Sequence, residues 1–140
     1  MKEEAKTRDE NEILRELVVS KEDIIKNLVE LVKKTKNVFV IEDKTGKIIF
    51  KNFSDLKNHE KICGLLIGKH FAKKLGFIDD ECMTGSQISN EIKIPQTTLA
   101  APLKKVVDKG YVLKDETRYY INYHRLEEII DDILSDLNGN

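Results

Sequence analysis

The sequence predicts an α+β protein, because segments with helical periodicity alternate with pairs of short β-rich runs. In several segments apolar residues recur every three or four positions, a spacing that places them on one face of a helix. Residues 38–41 and 48–50 form one β-rich pair around a polar turn, and residues 111–113 and 118–121 form another. Glycine and proline mark the ends of several elements. We therefore expect helices that pack with two β-hairpins.

Composition and charge exclude several classes of protein. The chain has 140 residues, of which 40% are hydrophobic, and its 24 Lys and Arg nearly balance 25 Asp and Glu. This composition can build a core, but a net charge of −1 gives no overall attraction to a polyanion, so any nucleic-acid surface must be local. Cys63 and Cys82 lack a CxxC or Cys/His pattern, which favours free thiols in a reducing compartment. With no apolar leader and no apolar run near the roughly 20 residues of a membrane helix, we expect a soluble, cytoplasmic protein without membrane contact.

Residues 1–56 are predicted to form helices and a β-hairpin. After a charged stretch at 1–12 that we expect to fray, a short amphipathic helix has one apolar face: Ile13, Leu14, Leu17 and Val18. Ser20 is the expected start of a second helix, whose broad apolar stripe either packs in the core or faces a partner subunit. The hairpin at 37–52 must pack on a helix or another sheet, because an isolated hairpin is only marginally stable. We interpret the segment as a candidate dimerisation or sensor module.

Residues 58–75 have the pattern of a helix that contains two glycines. Gly64 and Gly68 lie one turn apart, although glycine inside a helix costs about 1 kcal/mol relative to alanine. Close approach of another backbone would explain both glycines. We therefore expect a tightly packed neighbour on this face of the helix.

The sequence contains no recognisable catalytic or metal-binding motif. His59, His70 and His124 are scattered and lack the short spacing of metal ligands. No serine, cysteine or histidine lies in a nucleophile motif. We therefore expect a protein that is not an enzyme and that uses neither a metal nor a cofactor.

Residues 83–122 are predicted to form a short helix, a tight turn, a second helix and a strand pair. Thr84 or Ser86 is the expected N-cap of the first helix, which faces the core with Gln87, Ile88 and Ile92. The turn consists of Lys93 and Ile94. Pro95 favours the start of the second helix and Gly110 its end, and the helix faces the core with Leu99, Leu103, Val106 and Val107.

This order of elements resembles the winged helix-turn-helix family, and archaeal-type transcriptional regulators in particular. The residues that carry the resemblance are Ile88, Ile92, the segment Ile94-Pro95-Gln96-Thr97-Thr98-Leu99, and the stretch from Leu103 through Lys109-Gly110-Tyr111-Val112. With the preceding helix included, the match covers about 65 residues and defines a domain at 57–122. The resemblance implies binding to double-stranded DNA, usually by transcriptional regulators, with the second helix in the major groove. It identifies neither the DNA target nor a small-molecule effector.

The outer face of the second helix and the following strand pair supply the candidate DNA-binding residues. They are Lys93, Gln96, Thr97, Thr98, Lys104, Lys105, Lys114 and Arg118. Gln96 can bond to adenine edges, while hydroxyl and lysine groups can reach phosphates. Residues 82–126 contain seven Lys and Arg against four Asp and Glu, a mildly basic local balance of +3. The same residue types are also typical of any solvated helix face.

Two features weaken the expectation of strong DNA binding. Asp115 and Glu116 make the tip of the strand pair acidic, although a wing that lies along phosphates would ordinarily be basic. Pro102 falls inside the second helix, where it removes an amide donor and is expected to kink the helix. The alternative function is therefore a winged-helix adaptor that binds proteins and not nucleic acid.

The C-terminal segment at 123–140 is predicted to be an acidic amphipathic helix. Its apolar stripe is Leu126, Ile129, Ile130, Ile133, Leu134 and Leu137. This stripe either covers the preceding domain or pairs with its copy in a second subunit. Because helices flank the domain at both ends, we expect a homodimer.

Overall fold

A computed structural model describes residues 9–138 of the chain. They form a mixed α+β structure of helices and two small sheets, as expected. The chain divides into two compact units, Met1–Val32 and Lys33–Asn140. The predicted boundary after residue 56 separates the hairpin at 37–52 from the following domain, whereas the second unit includes that hairpin. The first eight residues of the stretch predicted to fray lie outside the described part.

The first unit contains a short helix, a 3₁₀ turn and the beginning of a longer helix. Helix α1 spans Glu10–Leu14 and continues as a 3₁₀ turn at Arg15–Leu17. Val18 was expected on the same helical face, but this prediction is wrong, because its backbone is extended with φ −88° and ψ 125°. Helix α2, Lys21–Thr35, begins in this unit. The Ser20 side chain accepts a hydrogen bond from the Asp23 amide at 3.0 Å, which supplies the expected N-cap.

The first hairpin packs on the longest helix of the second unit. Its strands β1, Phe39–Ile41, and β2, Ile48–Phe50, pair antiparallel, and helix α3 spans Asn58–Lys74. A Cβ atom placed on Gly64 would lie 2.8 Å from Cε1 of Phe50, and one placed on Gly68 would collide with Ile48. The glycines therefore admit side chains of β2, whereas we expected a backbone.

A three-stranded antiparallel sheet and two helices complete the segment predicted as a domain. The elements are β3 at Met83–Thr84, helix α4 at Gly85–Ile92, helix α5 at Gln96–Asp108, β4 at Val112–Asp115 and β5 at Arg118–Ile121. The sheet order is β3-β5-β4. Strand β3 was not predicted, because two residues are too short to show a periodic pattern.

The start of helix α4 corrects one predicted orientation. The Thr84 hydroxyl accepts a hydrogen bond from the Gln87 amide at 3.1 Å, and the Gln87 side chain accepts one from the Thr84 amide at 2.9 Å. This reciprocal capping box places Gln87 on the surface. The prediction that Gln87 faces the core is therefore wrong, whereas Ile88 and Ile92 are buried as expected.

Helix α6, Leu126–Leu137, covers helix α3 with its apolar face. Its buried residues are Ile129, Ile130 and Ile133. Of the two roles predicted for this stripe, the structure shows the covering one. Lys34 adds salt bridges to Glu127 at 2.9 Å and to Asp131 at 3.1 Å. Among residues 9–138, no helix is both long and apolar enough to cross a bilayer.

Candidate nucleic-acid interface

Helix α5 has one buried and one exposed face. Leu99, Leu103 and Val106 are at most 7% exposed, and they hold the helix against the core. The side chains on the opposite face are exposed: Gln96, Thr97, Thr98, Ala101, Lys104 and Lys105. The spacing of apolar residues predicted this division, except that Val107 is only half-buried. The helix therefore presents polar and basic groups to any partner on this side.

The turn before helix α5 leaves Lys93 exposed to solvent. Lys93 ends helix α4 in the left-handed conformation, with φ 60° and ψ 41°. This conformation is uncommon for a residue other than glycine. Here the amides of Lys93 and Ile94 both donate to the Ser89 carbonyl, which stabilises the turn. The Lys93 side chain is exposed next to the first turn of helix α5.

An open cleft of about 340 Å³ lies between helix α5 and the sheet. Gln96 and Lys104 line it from the helix, and Lys114 and Tyr119 line it from strands β4 and β5. Apolar side chains such as Leu103 form much of the remaining wall. No carboxylate lines the cleft within the described chain, so its charged groups are all cationic. The fold thus brings three of the sequence-predicted residues together.

Two of the predicted basic residues are engaged by carboxylates. Lys104 contacts Asp108 at 2.8 Å one helical turn away, and Arg118 contacts Asp80 at 2.5 Å. These hydrogen bonds raise the pKa of Lys104 and of Arg118. The sequence alone indicates the pair of Lys104 and Asp108, because side chains four positions apart are neighbours on a helix surface.

The Asp80 pair could not be read from the sequence. Thirty-eight positions separate Asp80 from Arg118, and they meet because β3 pairs with β5, with Thr84 opposite Arg118. Asp80 accepts a hydrogen bond from the Cys82 amide at 2.9 Å as well as from Arg118. The Cys82 amide, followed by Arg118, lowers the pKa of Asp80 to about 2. An ionised carboxylate therefore neutralises Arg118 at neutral pH.

The remaining predicted basic residues keep their charge available. In the part of the chain that the structure describes, no carboxylate lies within salt-bridge distance of Lys93, Lys105 or Lys114. The Nζ atom of Lys114 lies 5.5 Å from the ring centre of Tyr119. Lys105 does not line the cleft and lies on another flank of helix α5. The predicted DNA-binding residues therefore lie on more than one flank of helix α5.

The acidic tip of the second hairpin is a two-residue loop. Asp115 pairs with Arg118 across the strands, and Glu116 and Thr117 form the loop, with Glu116 at φ 58°. All three loop-side residues before Arg118 are exposed. Asp115 and Glu116 make this tip acidic, as the sequence indicated.

No protein-family model, curated protein or solved structure matches this chain.

Proposed function

We propose that residues 57–122 form a winged helix-turn-helix domain that binds double-stranded DNA, and that the protein is a cytoplasmic transcriptional regulator. The observation that carries this proposal is the order of elements from α3 to β5: helix, strand, helix, helix, strand, strand. In this arrangement helix α5 stands in the position of a recognition helix, and β4 and β5 form the wing. The exposed polar face of α5 supports the same assignment.

In the proposed complex, the first turn of helix α5 reads bases. Gln96, Thr97 and Thr98 are all exposed there. A glutamine side chain can bond both N6 and N7 of adenine, and threonine can donate to or accept from base edges. Lys104 lies two turns further along the helix and extends this surface. These four side chains are the proposed source of sequence preference.

The proposed phosphate contacts come from the turn, the helix flank and the wing. Lys93, Lys105 and Lys114 carry charges that no described carboxylate neutralises, so they gain most from a phosphate. Arg118 can exchange Asp80 for a phosphate, because an exposed ion pair in water contributes little. A surface with this few cations gives modest affinity and a moderate salt dependence.

A homodimer is part of the proposal, because paired half-sites are typical of such regulators. Exposed apolar residues in the first unit support it, with Leu17 79% exposed and Val18 73% exposed. The same observation, together with the acidic loop at Glu116, favours a second candidate function, a winged-helix adaptor for other proteins. The two functions differ in whether the surface of α5 binds DNA.

Fluorescence anisotropy with random duplex DNA across a salt series distinguishes them. We expect binding at low salt, with log affinity falling by about 0.9 per phosphate contact for each unit of log salt concentration. The test variant is Lys104→Glu/Lys105→Glu. Its matched control is Lys73→Glu/Lys74→Glu, which makes the same charge change at two exposed lysines at the end of helix α3.

Loss of binding in the first variant and its retention in the second would support DNA binding through helix α5. Equal losses in both variants would indicate only a general charge effect. An absence of binding by the unmodified protein at low salt would overturn the DNA-binding proposal. The adaptor function would then be the one to pursue.

A further inference from the structure

The start of helix α3 and the end of helix α6 bring three potential metal ligands together. His59, Glu60 and Asp136 each offer one ligand atom, and these atoms all lie within 4.8 Å of one another. We propose that these three side chains bind one divalent transition-metal ion. The proposed site lies outside the cleft between α5 and the wing, and Lys105 is the one proposed phosphate contact that lines its pocket. The proposal does not rest on DNA binding.

Burial of Glu60 is the first argument for a cation at this place. Glu60 is only 3% exposed, and its Oε1 accepts a hydrogen bond from the Lys57 amide at 2.8 Å. Removing a carboxylate from water is costly unless a positive partner or a proton compensates it. A second carboxylate, that of Asp136, lies within reach of the first. In the metal-free protein a proton meets this need, since burial and a hydrogen bond with Asp136 raise the pKa of Glu60 above its ordinary value. A metal ion would displace that proton and attract both carboxylates.

The surrounding charges leave the site close to neutral. The three side chains line an open pocket of about 320 Å³, which an ion can enter from solvent. Lys57, Lys105 and Lys109 also line it, as does a third carboxylate, Asp132. Lys57 contacts Asp136 at 3.3 Å, and Lys109 contacts Asp132 at 4.0 Å. The Lys57 side chain is 62% exposed, so it can move into solvent when an ion takes its place.

The donor atoms indicate the class of metal. One imidazole nitrogen with two carboxylates suits Zn²⁺ or Mn²⁺ better than Mg²⁺ or Ca²⁺, which prefer oxygen ligands alone. Three protein ligands leave at least one position for water, as in zinc sites that remain open. The spacing of the histidines could not show this site, because its third ligand, Asp136, comes from helix α6, outside the domain predicted at 57–122. A bound ion would link α3 directly to α6.

Titration of the metal-free protein with Zn²⁺ tests the proposal. The protein is first stripped with a chelator, and binding is then followed by calorimetry and by the melting temperature. We expect one Zn²⁺ per chain and a rise in melting temperature with Zn²⁺ concentration, because the ion binds the folded state. His59→Gln and Asp136→Asn should each lower the affinity more than about tenfold, since even indirect supports of a metal are worth that much.

Two matched variants separate this site from other metal contacts. Asp132→Asn removes a carboxylate from the same pocket, and His124→Gln removes an exposed histidine elsewhere. His124→Gln should bind Zn²⁺ as the unmodified protein does, whereas Asp132→Asn should weaken binding less than His59→Gln, because it removes a neighbouring charge and no ligand. His59 is only partly buried, so His59→Gln gives a readout even if Asp136→Asn fails to fold. Absence of Zn²⁺ binding, or unchanged affinity in His59→Gln, would overturn the proposal.

Discussion

The two β-hairpins of the second unit share a local design but have different surroundings. Each joins two short antiparallel strands through a polar turn. In the first hairpin, Phe39 and Ile48 are at most 8% exposed because β1 and β2 lie on helix α3. In the second, Ile121 is fully buried and β5 also contacts helix α3, while Lys114 remains exposed and β5 pairs with a third strand. A hairpin pattern therefore predicts strand pairing and one buried face, whereas the residues on the outer face determine what a partner can contact.

The first hairpin is held by a close fit of side chains against glycine. Phe50 lies over Gly64 and Ile48 over Gly68, one helical turn further on. The Phe50 ring also contacts Phe39 at 6.3 Å and Phe53 at 5.3 Å between ring centres. The hairpin therefore belongs to the core and can tolerate little additional volume.

A larger side chain at Gly68 would disrupt this packing, and it should affect the protein more than the other substitutions proposed below. Gly68→Val should destabilise the protein by about 1–3 kcal/mol, because the new side chain overlaps Ile48 at several atoms. Urea denaturation measures the change as a lower midpoint at an unchanged slope. Gly85→Ala is the matched control, since nothing lies within 4 Å of a Cβ atom placed there. If Gly68→Val and Gly85→Ala were equally stable, the hairpin would not be packed as described.

A smaller effect is expected from the second hairpin, and it concerns binding. Lys114→Ala should weaken binding to duplex DNA uniformly across sequences and reduce the salt slope by about 0.9, because one phosphate contact is lost. Lys47→Ala removes an exposed lysine of the first hairpin and should change neither quantity. Fluorescence anisotropy across a salt series measures both variants. Equal effects of the two substitutions would remove the distinction between a structural hairpin and a DNA-binding one.

Local patterns predicted most helices and strands, but long-range partners were not predictable from them. The spacing of Gly64 and Gly68 indicated a close neighbour, yet it could not identify Phe50 and Ile48 as that neighbour. The exposed face of helix α5 followed from its apolar period, which depends only on local geometry.

The carboxylate partners show where such prediction ends. Asp80 reaches Arg118 only because an unpredicted two-residue strand pairs with β5. His59 and Asp136 meet only because helix α6 lies across helix α3. Contacts of this kind depend on how elements pack, and a single sequence shows no periodic sign of them.

Asp80→Asn tests the role of Arg118 in the second hairpin, and it should change DNA binding less than the substitutions above. Asp80→Asn removes the negative partner while keeping an oxygen that can accept from the Cys82 amide. Arg118 is then released for a phosphate, so we expect tighter DNA binding. The slope of log affinity against log salt should become steeper by at most about 0.9, the value of one phosphate contact. Asp79→Asn is the matched control, because Asp79 is exposed and forms no ion pair among the described residues. Tighter binding by both variants would point to overall charge and not to Arg118.

The same substitution has a pH signature that tests the pair without DNA. The Cys82 amide and Arg118 lower the pKa of Asp80 to about 2, below its value in an unfolded chain. The contribution of Asp80 to folding stability is therefore present above the unfolded pKa and is lost as pH falls towards 2. Asp80→Asn lacks this titrating group, so its urea midpoint should fall less than that of the unmodified protein on acidification. The difference should be small, because the Asp80 side chain is about half exposed. Parallel loss of stability in the two proteins would show that the contacts of Asp80 add nothing to folding stability.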